Sequence, residues 1–124
     1  MRFATHVFRW AGIWGLLVIL PGFFNERAIA EQQPPALTHP EYFYGFYAVA
    51  LAFQVLFLLM SRDPVRYRAL MPACMLEKFG YIVAMCVLYG LHRIPSLIML
   101  FVAFDLLWGI LFIVAYRKTS AITP

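Results

Sequence analysis

Charge is what this sequence has least of. Of its 124 residues only 13% are Asp, Glu, Lys or Arg, while 64% are hydrophobic and the mean hydropathy is +0.78. A soluble domain carries roughly a quarter charged residues, so water is excluded as the main solvent. Four spanning segments of roughly twenty residues would leave about forty outside a bilayer, which excludes a soluble catalytic domain. Cysteine is also scarce. Cys74 and Cys86 stand twelve apart on one helical segment, about 18 Å along the axis, so they read as free thiols beyond disulfide reach. No Ser-His-Asp set, phosphate-binding glycine loop, CxxC pair or internal repeat is present. Acids are outnumbered, six to ten, giving a formal charge of +4. Membrane topology accounts for where those bases lie, and nucleic acid is not expected as a partner.

What is there is a set of long apolar runs. Residues 7–24, 42–61, 72–91 and 95–116 each meet the length of a membrane-spanning helix. The expected fold is all-α, a single four-helix membrane bundle over residues 1–124 with both termini inside. The first run carries Arg9 near its start, where a side chain can snorkel to the headgroups, and Pro21-Gly22 loosens its exit. That run has a rival reading as a secretory signal, with Ala28-Ile29-Ala30 as a cleavage-like triplet. Glu26 and Arg27 crowd that site, so the segment is expected to be retained. Residues 25–41 form a long outer loop, in which Pro34, Pro35 and Pro40 favour extended backbone over helix. The second run has no charge and one amide, Gln54; Arg62-Asp63-Pro64 ends it, and Pro72 suits the first turn of the third.

Topology follows from the bases. Eight of the ten, Arg2, Arg9, Arg62, Arg66, Arg68, Lys78, Arg117 and Lys118, fall on the side of the termini; only Arg27 and Arg93 fall on the other. The positive-inside rule then puts the termini in the cytoplasm and the proline-rich loop outside. Tyr42, Phe43, Tyr44 and Tyr47 mark one interface and Trp10, Tyr67 and Tyr116 the other. Small residues one turn apart allow close helix approach in lipid. They recur as Gly45, Ala48 and Ala52, as Gly80 and Ala84, and as Ala11 and Gly15, and the first set is expected to form a close helix contact.

Asp105 is the sharpest chemical signal, because a carboxylate near the bilayer centre costs about 2.5–3.5 kcal/mol on insertion scales. Either it touches a ligand, proton or quinone, or it ties helices together. With no Lys or Arg at its depth, it is expected to be uncharged. Counting 1.5 Å per residue from the outer helix ends puts Asp105, Tyr81 and Gln54 about 13, 15 and 18 Å deep, so the three can share one layer. A hydrogen-bonded set of Gln54, Tyr81 and Asp105 would satisfy each, as a ligand site or as structural glue. Glu77 and Lys78, two turns inside the third segment, read as an ion pair, with Lys78 snorkelling and Glu77 reaching Arg68 or Arg9; the alternative is a cytoplasm-facing polar mouth. His39 and Glu41, with Glu31 near, lack a further His or Cys at ligand spacing, so no metal is expected. The sequence names no cofactor.

A first helix, a longer outer loop, Tyr44-Gly45 opening the second helix, the Arg62-Asp63-Pro64-Val65-Arg66 turn and two further helices resemble the DoxX-like group of small bacterial four-helix membrane proteins. The resemblance covers most of the chain at the level of architecture and carries over no site residue. It implies a multi-pass accessory protein of the bacterial inner membrane. The leading functional expectation is a non-enzymatic bundle that joins a homo-oligomer or larger complex and holds a hydrophobic molecule near Asp105. The second is an enzyme or redox subunit acting on a lipid-soluble substrate such as a quinone, with Asp105 as proton acceptor. The third is a small transporter. As small multidrug transporters are known, their essential acid lies in the first helix, where this chain has none at mid-depth.

Overall fold

The computed structural model describes residues 2–32 and 38–120. They fold into α1 (Arg2–Phe23), α2 (Glu26–Gln32), α3 (Pro40–Met60), α4 (Met71–Gly90) and α5 (Leu97–Ser120), with a 3₁₀ turn at Arg68–Leu70. Four of these, all but α2, are long and apolar enough to cross a membrane. Each falls on one of the four apolar runs, but the ends shift. α1 begins at Arg2 and α5 runs to Ser120, one turn beyond each run, where polar residues can still be helical because they lie past the hydrocarbon. Pro40 opens α3 and Pro72 lies in the first turn of α4, places where the missing N–H is not needed.

Two expectations are corrected. The stretch after α1 is not all extended: Glu26–Gln32 is helical, with Glu26 in the first turn and an exposed Arg27–Glu31 pair at 3.6 Å. Helix-forming Glu, Arg, Ala and Gln outweigh the downstream prolines here; Pro34 and Pro35 lie outside the described residues. The Gly45, Ala48, Ala52 stripe does not pack within the chain. All three are exposed, and a Cβ on Gly45 would meet nothing within 4 Å. Gly80 likewise faces open space, and Ala84 is exposed.

The small residues that matter lie on α1. Ala4, Ala11, Gly12 and Gly15 are buried. A Cβ on Gly12 would stand 2.7 Å from Leu58 Cγ, and one on Gly15 would overlap the Gln54 amide, so α1 and α3 approach as closely as glycine permits. On the other side Gly109 of α5 receives the Phe79 ring of α4, 2.9 Å from where a Cβ would be. Helix α3 thus packs on α1, α1 on α5 and α5 on α4. Helices α3 and α4 make little backbone approach and meet through side chains: Cys74 Sγ with Met60 Sδ at 3.5 Å, and the Phe46 and Tyr81 rings at 6.3 Å.

The packed core lies at one end, here the lower half. Ala4, Phe8, Ala11, Phe57, Met60, Met71, Cys74, Phe112 and Ala115 form it. Phe8 stacks on Phe112 at 4.6 Å, and Phe57 meets Phe112 edge-on at 5.0 Å. The connection after α3 closes this end. Asp63 Oδ1 accepts from Arg66 N at 3.3 Å, and Arg68 donates to the Tyr116 carbonyl at 3.1 and 3.2 Å and to Thr119 Oγ1 at 3.2 Å. An arginine on the last carbonyls of α5 is where the helix dipole favours a cation. At the upper end α4 stops in a Schellman turn: Arg93 N donates to Leu88 O at 2.9 Å, His92 N to Tyr89 O at 3.0 Å, and His92 takes φ 57°. Large apolar side chains such as Leu17, Leu76 and Val83 stand more than half exposed on the outer faces, as lipid-facing residues do.

Candidate functional site: a cavity with a charged floor

Above the aromatic core the four long helices spread around a cavity of about 960 Å³. Its wall is apolar and aromatic, with Trp14 of α1, Phe53 of α3 and Phe101 and Phe104 of α5 prominent; Trp14 and Phe104 meet at 4.6 Å. Its upper rim includes Asn25 just before α2, Ala28 and Ile29 on α2, and Leu97 and Ile98 at the start of α5. The rim is held by Glu26 Oε2, which accepts from the Tyr44 hydroxyl at 2.7 Å, and by Tyr47, whose ring lies 2.5 Å from where a Cβ on Gly22 would stand.

All five residues singled out by depth and charge line this one cavity: Gln54, Glu77, Lys78, Tyr81 and Asp105. Their bonding differs from expectation. No hydrogen bond links Gln54, Tyr81 and Asp105. Gln54, 2% exposed, turns its Nε2 back to the Ala50 carbonyl of its own helix at 2.8 Å and leaves Oε1 without a partner, against Gly15.

Asp105 does meet a cation. Lys78 does not snorkel: it is 5% exposed, and its Nζ lies 3.4 Å from Asp105 Oδ1, 3.6 Å from Glu77 Oε2 and 5.4 Å from the centre of the Phe57 ring. The expectation of an uncharged Asp105 rested on the absence of Lys or Arg at its depth, and that premise fails. The reason is reach. Lys78 starts about 10 Å up α4, and its flexible stem carries the ammonium further up to the acid. Glu77 pairs with Lys78 and with neither Arg68, which is engaged by α5, nor Arg9. The Glu77 to Lys78 distance is within ion-pair range but too long for a hydrogen bond, so Glu77 Oε2 is buried with no hydrogen-bond donor. A buried charge needs a partner and hydrogen bonds to offset its desolvation, and this cluster supplies the first more fully than the second.

Among the described residues no three His, Cys, Asp or Glu side chains gather as a metal site. No family model, curated protein or solved structure matches the chain. What the arrangement can do follows from its chemistry. It joins a deep apolar volume to a short polar floor, the combination that binds an amphipathic molecule tail-up and head-down. Sequence reasoning missed the wall residues Trp14, Phe53 and Phe104. Each is one aromatic among many on apolar helices, and nothing in spacing alone separates a cavity wall from a lipid-facing one.

Proposed function

We propose that the protein is a multi-pass component of the bacterial inner membrane that holds a lipid-soluble, amphipathic molecule in its upper cavity, as a binding or accessory subunit rather than an enzyme. The observation that carries this reading is the cavity itself. At about 960 Å³ it lies at the upper end of the range for small-molecule sites, roughly 300–1,000 Å³. It is lined by all four spanning helices and ends on Glu77, Lys78 and Asp105. The sparse backbone approach between α3 and α4 supports entry from the bilayer, between Phe46 and Tyr81.

Both termini are assigned to the cytoplasm. With Lys78 withdrawn into the bundle, seven bases still fall on the lower side against Arg27 and Arg93 on the upper. The likeness to DoxX-like proteins in loop residues and helix count supports a bacterial inner-membrane setting and association with a larger complex. A reporter fused after Ser120 should read cytoplasmic; an external signal would reverse the assignment.

Purification in mild detergent with mass spectrometry of co-extracted molecules tests the binding role. The unmodified chain should retain one class of amphipathic molecule. Val18→Phe, which adds a ring to the cavity wall, should lose it while keeping the same unfolding temperature. Equal retention in both, or none in the unmodified chain, would remove the proposal. A quinone that is also reduced or oxidised by the purified chain would favour the redox alternative, with the Lys78–Asp105 pair beside Tyr81 as its proton-handling group.

A further inference from the structure

We infer that the molecule held in the cavity carries a positive head: a single-chained amine or ammonium amphiphile whose head seats against Glu77 and Asp105 and whose tail lies along the wall of Trp14 and Phe104. This rests on reading the cavity as a ligand site.

The first support is the charge count of the floor. The charged residues lining the cavity are Glu77, Lys78 and Asp105, two acids for one base. Lys78 Nζ sits between them at 3.6 and 3.4 Å. One ammonium between two carboxyl groups can balance only one of them in the charged form, so in a water-poor layer the other takes up either a proton or a second cation. A cationic head supplies that second cation, a neutral head does not, and an anionic head adds a further negative charge. A two-tailed lipid with an amine head brings its own phosphate and restores the negative charge.

Hydrogen-bond polarity is the second support. Two buried atoms without a hydrogen-bond donor, Glu77 Oε2 on the floor and Gln54 Oε1 packed against Gly15, are both acceptors. They call for a donor such as N–H, and the carbonyls of a quinone supply none. Trp108 Nε1 also lacks a partner, but Trp108 does not line the cavity.

The wall supplies the third. Aromatic rings stand on α1, α3, α4 and α5 around the space just above the acids, among them Trp14, Phe53, Tyr81 and Phe104. Ring faces attract ammonium groups, most strongly where water is excluded. From Asp105 up to Leu97 is about 12 Å of helix, which sets a tail of medium length.

A matched series tests the charge: dodecylammonium, dodecanol and dodecanoate, titrated by calorimetry into the full chain in phosphatidylcholine nanodiscs, with empty discs subtracted. Dodecylammonium should bind at least about tenfold tighter than dodecanol, with dodecanoate weakest. Glu77→Gln should bring ammonium binding down to the level of the alcohol and leave the alcohol unchanged. Asp105→Asn should do the same if Glu77→Gln does not fold. Val18→Phe should abolish all three. Equal binding of amine and alcohol, or tighter binding of the carboxylate, overturns the charge inference and leaves the cavity reading standing. If none of the three binds to folded protein, both fall.

Discussion

The lower and upper halves of the bundle are made from the same four helices and comparable apolar composition, yet one is filled and the other hollow. Below, Phe8, Phe57 and Phe112 interlock with Met60, Met71 and Cys74, and Arg68 is bound to the end of α5. Above, Phe53, Phe101 and Phe104 belong to the same class of residue but line a space instead of closing it. In lipid, apolar side chains gain little by leaving hydrocarbon for a protein interior, so hydrophobicity does not compel either half to close. Close packing and polar ties decide. The lower half has both, and it carries the fold; the upper half is thereby free to take up something else.

The largest expected effect is a cut in the packed half. Phe112→Ala removes a fully buried ring in contact with two others, and should cost about 3–5 kcal/mol in detergent or bicelle unfolding. Val49→Ala, at the exposed edge of the cavity, should change stability by under about 0.5 kcal/mol. Comparable losses at the two sites would erase the contrast between halves.

Next comes the boundary between them. Lys78→Met leaves Glu77 and Asp105 facing each other without their shared cation, and should cost about 3 kcal/mol. Adding Asp105→Asn to Lys78→Met should recover most of that loss. If Lys78→Met alone unfolds no earlier than the parent, the ion cluster is not what seals the cavity floor.

A smaller effect is expected at the top of α4, where His92 holds a left-handed conformation that disfavours side chains. His92→Gly keeps the Schellman bonds and should raise stability by about 1 kcal/mol. No gain would mean that the upper rim opens before the turn is tested.

The smallest concerns the unpartnered stripe. Ala48→Leu and Ala52→Leu should leave monomer stability within about 0.5 kcal/mol, since both positions are exposed. A loss above that, concentration-dependent in detergent, would show that a second chain packs on α3.

Much of the bundle was legible because spanning helices are written as long apolar runs, and Pro72 marks one of their starts; Pro40, read as part of the extended loop, instead opens α3. Depth grouped Gln54, Tyr81 and Asp105 in one layer, since helices crossing a slab of fixed thickness keep their residues in layers, and all three line the cavity without the hydrogen bonds expected among them. What failed was what depth omits. It places Cα atoms, so it missed the stem of Lys78 carrying an ammonium up to Asp105. Spacing shows that Gly45, Ala48 and Ala52 share a face, not that the face looks outward. The prolines after residue 32 concealed seven helical residues before them, because a breaker limits where a helix ends and says little about what precedes it.

The two glycines of α1 have a mechanical consequence. Gly12 lies under Leu58 and Gly15 under the Gln54 amide, so α1 offers two notches and α3 two teeth one turn apart. Sliding α1 along α3 by a turn would bring Phe8 under Leu58 in one direction, or Val18 and Ile19 under the amide in the other. Rotation is blocked too, because Trp14 and Leu16 flank the Gly15 notch. The pair therefore works as a keyed joint with a single seat: it indexes α3 against α1 and so fixes the height of Gln54 against the wall that α1 gives the cavity.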